Sequence, residues 1–368
     1  MRARMKKTGI SILRRLEAAG YPAYFVGGCV RDTLLGRPVH DWDIASAALP
    51  EEVTALFDHC VPTGIKHGTV TVLQDGASFE VTTFRTDGDY DDARHPNAVS
   101  FVRTLEEDLS RRDFTINAMA MDASGAVTDL FGGREDLEQK TIRCVGDPKT
   151  RFREDALRML RALRFSAQLG FAVEKQTMDA ICDCAPLCAS LSAERVRDEM
   201  EKTLLSASPN TVGEMARLGL LAAVGVTEVA LMPEVAPSRR LRWSAFFAAC
   251  EQANWTRLKL DRHTGKTAQT AAEIAAPRDR FGWKRVLAEY GEDVALCASA
   301  LVCEETAVQE VLESGECFRL QDLAVGGDDF PELSGESVGE QLQKLLDYVL
   351  MFPEKNNRET LLRIAHGK

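Results

Sequence analysis

The period of the apolar positions changes about a third of the way along the chain. From Lys7 to Ala19 they recur at helical spacing and stop at Gly20, Tyr21 and Pro22, which predicts an amphipathic helix with a defined end. Tyr24-Phe25-Val26 reads as a short buried strand, and Asp43-Ile44-Ala45 as the start of the next. Pro50-Glu51-Glu52 opens a helix, because proline suits the first helical turn. Two β-branched runs, His67 to Leu73 and Ser78 to Phe84, flank Gln74-Asp75-Gly76 and predict a hairpin.

Beyond Asp122-Ala123-Ser124-Gly125 the pattern turns helical. Helices are predicted over Phe152–Leu169, Leu191–Leu205, Thr211–Leu218, Trp243–Cys250, Trp283–Tyr290 and Val338–Phe352. Glu228 to Arg239, rich in Pro and Ala, reads as a connector. The expected fold class is α+β: an α/β head on a small sheet, followed by an all-helical remainder.

Composition narrows this picture modestly. With 368 residues, 45% hydrophobic and 27% charged, the chain can build more than one core. No apolar run approaches the roughly 20 residues of a membrane span. The basic start, MRARMKKTGISILRRL, has no continuous apolar core and is not expected to act as a secretory signal. Ten scattered cysteines without a CxxC pair fit reduced thiols and a cytoplasmic location. The net charge of −11 is unevenly placed. Gly291 to Lys368 holds 16 acidic and 6 basic residues, whereas Ala236 to Tyr290 holds 11 basic and 5 acidic. A polyanion can therefore meet a favourable local field on an acidic protein.

Candidate chemistry begins at VGGCVRDTLLGRPVHDWDIAS, Val26 to Ser46. On extended backbone Asp41 and Asp43 face the same side, and two adjacent carboxylates repel unless a cation joins them. Hard oxygen ligands with room for phosphate suit magnesium. Taken alone, Asp-x-Asp reads as a solvated loop before a strand. Gly27 and Gly28 change that, because a backbone without side chains can approach a polyphosphate, and Arg31 can fork onto its oxygens. Glu80, inside an alternating strand, either lies on a wet face or completes the acidic set. In the second case it can reach the same metals or take a proton from an attacking hydroxyl.

Two further clusters stand out. Arg111-Arg112-Asp113-Phe114-Thr115-Ile116-Asn117 reads either as a helix start with surface ion pairs or as contacts to a nucleotide's sugar and phosphates. In the helix predicted from Phe152, Ala156, Leu160 and Leu163 form an apolar stripe. Glu154, Asp155, Arg158 and Arg161 lie opposite, with Asp155 and Arg158 one turn apart. Such a pair is an ordinary surface ion pair, or a carboxylate and a guanidinium matched to a base edge. The carboxylate would accept from the amine that cytosine and adenine share, and reject the carbonyls of uracil and guanine.

In this order, GGxVRD, DxD, RRDFTINAMA, EDxxR and SAERVRDE resemble the class II CCA-adding enzymes. These are the tRNA nucleotidyltransferases of the polymerase β-like superfamily, which also holds bacterial poly(A) polymerases. The resemblance runs from Gly27 to about Glu199 and is weaker beyond. It implies a nucleotidyltransferase head over 1–125, a helical neck over 126–205, a body over 206–290 and a tRNA-binding tail over 291–368. It implies two Mg2+ ions on Asp41 and Asp43, with Glu80 as the third acid. Triphosphate and ribose would meet Gly27, Gly28, Arg31, Arg111, Arg112, Asp113 and Asn117. Asp155 and Arg158, braced by Glu154, would read the base of CTP or ATP, with Arg161 and Arg164 as further nucleotide-site candidates. Glu194 and Arg195 would stabilise the neck, or form a surface ion pair.

The implied activity is addition of CCA to the 3′ end of tRNA, with release of pyrophosphate. The alternatives are addition of the terminal A alone, poly(A) synthesis, or an inactive RNA-binding homologue. A loop at Arg85–Pro96 is associated in the family with adding the A. Here it looks full length, although His95 stands where many members carry a second arginine. No protein partner or membrane is implied, and a monomer or homodimer is expected.

Overall fold

A computed structural model of the chain describes residues 2–87 and 99–366. The loop positions between Gly88 and Pro96, His95 among them, lie outside the described residues. The chain divides into two compact units, Met1–Thr227 and Glu228–Lys368. The predicted connector opens the second.

The first unit is built on a seven-stranded sheet. Its strands are β1 (Ala23–Val26), β2 (Ile44–Ser46), β3 (Cys60–Gly64), β4 (Thr69–Gln74) and β5 (Ala77–Thr83). A small ribbon of β6 (Arg85–Asp87) and β7 (Val99–Phe101) precedes the last two, β8 (Met119–Met121) and β9 (Val127–Asp129). The order is β3-β4-β5-β2-β1-β8-β9, antiparallel except where β2 runs parallel to β5. The β4–β5 hairpin closes on Asp75 and Gly76. Both have positive φ, as a two-residue turn between twisted strands requires. Period-2 burial is clean along β5: Phe79 and Val81 are buried, while Glu80 points to the open face. Behind the sheet, α1 (Arg2–Ala18) packs Ile12, Leu13 and Leu16 inward.

Around the open face lie α2 (Gly28–Leu34), α4 (Leu105–Ser110) and α5 (Gly133–Glu138), whereas α3 (Pro50–Leu56) packs beside α1. Then come α6 (Pro148–Glu154), α7 (Leu157–Leu169), α8 (Lys175–Cys184), α9 (Ala193–Leu204) and α10 (Thr211–Arg217). The single helix predicted over Phe152–Leu169 is thus two helices. Asp155 takes extended backbone (φ −147, ψ 104), and its carboxylate accepts from the Leu157 amide at 3.0 Å, capping the new helix. Nor is α7 two-faced as its sequence suggests. Besides Leu160 and Leu163, it buries Arg158 and Arg164, because neighbouring elements cover both of its sides.

The second unit is helical. It comprises α11 (Arg239–Ala249), α12 (Arg262–Ile274), α13 (Arg280–Tyr290), α14 (Glu292–Leu301), α15 (Glu305–Glu313), α16 (Glu336–Met351) and α17 (Arg358–Ala365). Its core gathers Trp283, Val311, Phe330, Val349 and Leu361. Among the described residues no helix is long and apolar enough to cross a membrane.

Gly133 opens α5 where a Cβ would run into the Thr115 carbonyl oxygen and the Met119 side chain. Backbone cannot yield there as a flexible side chain would. Gly133→Ala should therefore destabilise the first unit by about 1–3 kcal/mol, the usual cost of overpacking. A lowered unfolding midpoint in urea would show it.

Candidate active site

Three elements bring the predicted acids together. The Val26 amide donates to the Asp43 carbonyl at 3.0 Å, so the ladder with β1 continues one residue before β2. Trp42 turns inward, 5% exposed, and packs on Phe25 at 4.6 Å, leaving Asp41 and Asp43 on the exposed side. Ile44 pairs with Val81 in the parallel register, so Asp43 and Glu80 are neighbours across two strands. The Asp43 carboxyl is raised above the ordinary carboxylate range. Surrounding atoms strip part of its hydration and Glu80 repels it, with Arg112 opposing and Asp41 adding repulsion. Among the described residues no three acids, histidines or cysteines form a ready cage for a metal. A pair of carboxylates that repel each other and face open space suits magnesium instead, because magnesium takes its remaining ligands from phosphates and water.

Next to Asp43 is a cleft of about 470 Å³. Gly27, Gly28, Arg31, Arg111, Arg112, Asp113, Asn117, Asp155, Arg158 and Arg161, all predicted site residues, line it, together with Leu157, Phe165 and Arg195. Six arginines face three aspartates there. A larger cleft of about 710 Å³ in the second unit mixes His263 and Lys266 with Glu289, Glu292 and Asp293 and lacks this positive bias.

The glycines are needed for space and for backbone shape. Gly27 has φ +75, which a side chain would strain, and a Cβ on it would stand 3.3 Å from Arg112 Nη1. Cys29, between Gly28 and Arg31, is a packing residue. Burial, with Asp43 nearby, pushes its thiol up to about 12.

Each of these arginines is held by a protein acceptor. Arg31 donates to Asp32 at 3.0 Å and to Asn117 Oδ1 at 2.8 Å. Arg111 and Arg112 both reach Asp108, at 2.7 and 2.9 Å. Burial pushes the Asp108 carboxyl up, but those two guanidiniums outweigh it and hold the group below its ordinary value. Arg111 caps the end of α4, so the Arg-Arg-Asp cluster is a helix end and not a helix start. Asp113 accepts from Arg161 Nε and Nη2 at 2.8 and 2.6 Å, and from the Phe114 amide and Asn117 Nδ2 at 2.8 and 3.3 Å. Burial opposes its ionisation, yet Arg161 dominates and lowers it to about 2.

The pair predicted to read the base differs from its predicted form. Asp155 and Arg158 line one cleft and are joined only through backbone, the Arg158 amide donating to the Asp155 carbonyl at 3.0 Å, while their side chains take other partners. Arg158 donates to Glu154 at 2.7 Å, as the expected brace, and to the Arg111 carbonyl at 3.1 Å. Asp155 accepts from Arg195 at 2.8 Å, so Arg195 serves Asp155 and not its chain neighbour Glu194. Arg164 turns out of the cleft toward Glu199 and Gln168. Arg112 Nε and Arg195 Nη1 are buried without a protein acceptor. The reading of the sequence missed Asp108 and Phe165. The first sits in the acidic run Glu106-Glu107-Asp108 and the second resembles a core residue.

Residues 23–143 match the poly A polymerase head domain family, and residues 170–225 match the probable RNA and SrmB-binding site of polymerase A. The CCA-adding enzyme of Leuconostoc mesenteroides is 58% identical over 205 residues, 56% of this chain and 51% of that protein. In that match the chain spans about half the relative's length. The CCA-adding enzyme of Streptococcus sanguinis is 41% identical over 92% of this chain and 90% of its own. Among solved structures, the Bacillus stearothermophilus CCA-adding enzyme in complex with CTP superposes with a TM-score of 0.83 at 35% identity. It covers 98% of this chain and 96% of that one.

Asp113 links the site to acid stability. Its folded value is about 2, whereas an unfolded aspartate titrates near ~3.9, so the unfolded chain takes up the proton first as pH falls. The stability it supplies, up to about 2 kcal/mol, is fully present above roughly pH 4 and is lost between about pH 4 and 2. Asp113→Asn should be destabilised at neutral pH and converge on the unaltered protein across that window. Urea unfolding at several pH values measures the convergence.

Proposed function

Because the chain belongs to the CCA-adding enzyme family, we propose that it adds two cytidylates and one adenylate to the 3′ end of tRNA. The substrates are CTP and ATP, no nucleic-acid template is used, and pyrophosphate is released. The observation that carries this reading is the arginine-lined cleft, which adjoins the paired carboxylates of a protein that is acidic overall. A triphosphate needs both: cations for its charge, and carboxylates for the magnesium that accompanies it.

Gly27 and Gly28 admit the phosphates, and Arg31, Arg111 and Arg112 bind them. Asp113 and Asn117 face the ribose, with Arg161 held at their side. Asp41 and Asp43 would hold two magnesium ions, which, when bound, supply positive charge at the phosphates. Glu80 stands next to Asp43 as the third acid, placed to accept the proton of the primer's 3′-hydroxyl. That hydroxyl attacks the α-phosphate, so catalysis here is positioning and electrostatics. Asp155, steadied by Arg195, accepts from the amine common to cytosine and adenine, and Arg158 donates to the same base edge. The head over 1–125 thus carries the reaction and the neck over 126–205 the choice of base.

For the body of the tRNA we place the contact on Arg257, Arg262 and Lys266. They are exposed, whereas Arg239, Arg280 and Lys284 of the same basic stretch are engaged with Asp261 and Glu316. The acidic tail over 291–368 then contributes a minority face.

Primers lacking one, two or all three terminal nucleotides, each given CTP, ATP or both, test the activity. Extension of the shortest primer by three residues is expected. Extension only of the primer ending in CC would make this an enzyme that adds the terminal A alone. Asp43→Ala should lower turnover by roughly 10³-fold or more. Neutralising Arg257, Arg262 and Lys266 to glutamine should weaken tRNA binding and flatten its log–log salt dependence by about 2. An unchanged salt slope would move the contact elsewhere.

A further inference from the structure

Phe165 is the aromatic side chain in the lining of the arginine cleft, and three guanidiniums converge on its ring. The Arg164 guanidinium carbon lies 3.9 Å from the ring centroid, that of Arg31 5.1 Å and that of Arg161 5.4 Å. All three are within the range where a cation is attracted to the negative face of a π-system. Phe114 meets the ring edge-on, with centroids 5.8 Å apart and planes at 83°, which fixes its tilt. The ring is 5% exposed, so water screens these contacts little.

Like charges gathered around one side chain repel. Carboxylates offset part of this: Asp32 pairs with Arg31, Asp113 with Arg161, and Glu199 with Arg164. The Phe165 ring adds an attraction that Arg31 and Arg161 share. An aliphatic residue of similar volume would fill the space without that attraction.

We propose that Phe165 is a positioning residue for the incoming nucleotide: its ring seats Arg31 and Arg161 side by side, at the spacing that receives the triphosphate and ribose. The proposal rests on the nucleotidyl-transfer reading above. It assigns Phe165 a role in holding phosphate and none in choosing the base, because Asp155 and Arg158 have their own anchors on Arg195 and Glu154.

The test compares Phe165→Leu, Phe165→Met and Phe165→Tyr in the full chain. Leu and Met keep the volume without the aromatic ring, and Tyr keeps the ring. The first two should raise KM for CTP and for ATP by the same factor, roughly 3- to 10-fold. Discrimination against UTP and GTP should be unchanged, and Phe165→Tyr should stay near the unaltered protein. Calorimetry with inorganic tripolyphosphate, which has no base, should show the same weakening. Equal tripolyphosphate affinity in Phe165→Leu and the unaltered protein would overturn the role of Phe165 and leave the nucleotidyl-transfer reading standing. Failure of the unaltered protein to bind tripolyphosphate or to extend any primer would instead overturn that reading. A KM shift for one nucleotide only, or a loss of base discrimination, would place Phe165 in base selection and overturn the proposal.

Discussion

The buried carboxylate of Asp113 is the joint on which the cleft depends. One oxygen takes both Arg161 bonds, and the other takes the Phe114 amide and Asn117, whose own carbonyl oxygen receives Arg31. Three separate elements, α2, the turn after α4, and α7, are thereby tied through one group. Taking such a charge out of water is costly, and a buried ion pair is poor evidence of net stability. Four hydrogen bonds offset the cost here, and what they secure is position. Arg31, which the family resemblance assigns to phosphate, cannot shift without disturbing the link to the helix that carries Arg158 and Arg161.

Around that joint the protein handles a concentration of like charge. Six arginines share one cleft in a chain whose net charge is −11, so the local field opposes the global one. Carboxylates pair with them: Asp32 with Arg31, Asp108 with Arg111 and Arg112, Glu154 with Arg158. Each guanidinium is thus oriented before a ligand arrives. Donors such as Arg112 Nε and Arg195 Nη1 lack protein acceptors. A site arranged in this way spends little on reorganisation when an anion binds, which is the condition for strong electrostatic catalysis.

Much of the head could be read in the sequence, because its cues are local. Alternation at Phe79, Glu80 and Val81 and the Asp75-Gly76 turn follow from period and turn chemistry, and they put Glu80 on the open face. That Glu80 adjoins Asp43 needed the parallel pairing of β2 with β5, which no local pattern encodes. The unbroken helix predicted through Asp155 failed for a related reason: capping of Leu157 and pairing with Arg195, forty residues away, outweigh helical continuation. Arg158 reads as part of a polar face until the covering elements are known. Phe165 looks like core until its three cations are located. In each case the missing information was tertiary.

The break at Asp155 changes what the base-reading pair is. On a continuous helix its two groups would be fixed by helical geometry, at a spacing independent of the rest of the molecule. Here Asp155 is steadied by Arg195 of α9. Arg158 is steadied by Glu154 at the end of α6 and by the Arg111 carbonyl beside the phosphate-facing arginines. Acceptor and donor therefore answer to different elements, and their spacing measures how α9, α6 and the turn after α4 sit together. The Arg158 guanidinium answers to that turn through the Arg111 carbonyl, although the backbones of the pair stay joined by the Arg158 amide's bond to the Asp155 carbonyl. On the proposed reading, choice of base is then a property of the assembled packing, and the turn proposed to present phosphate contacts also anchors one half of the base-reading edge.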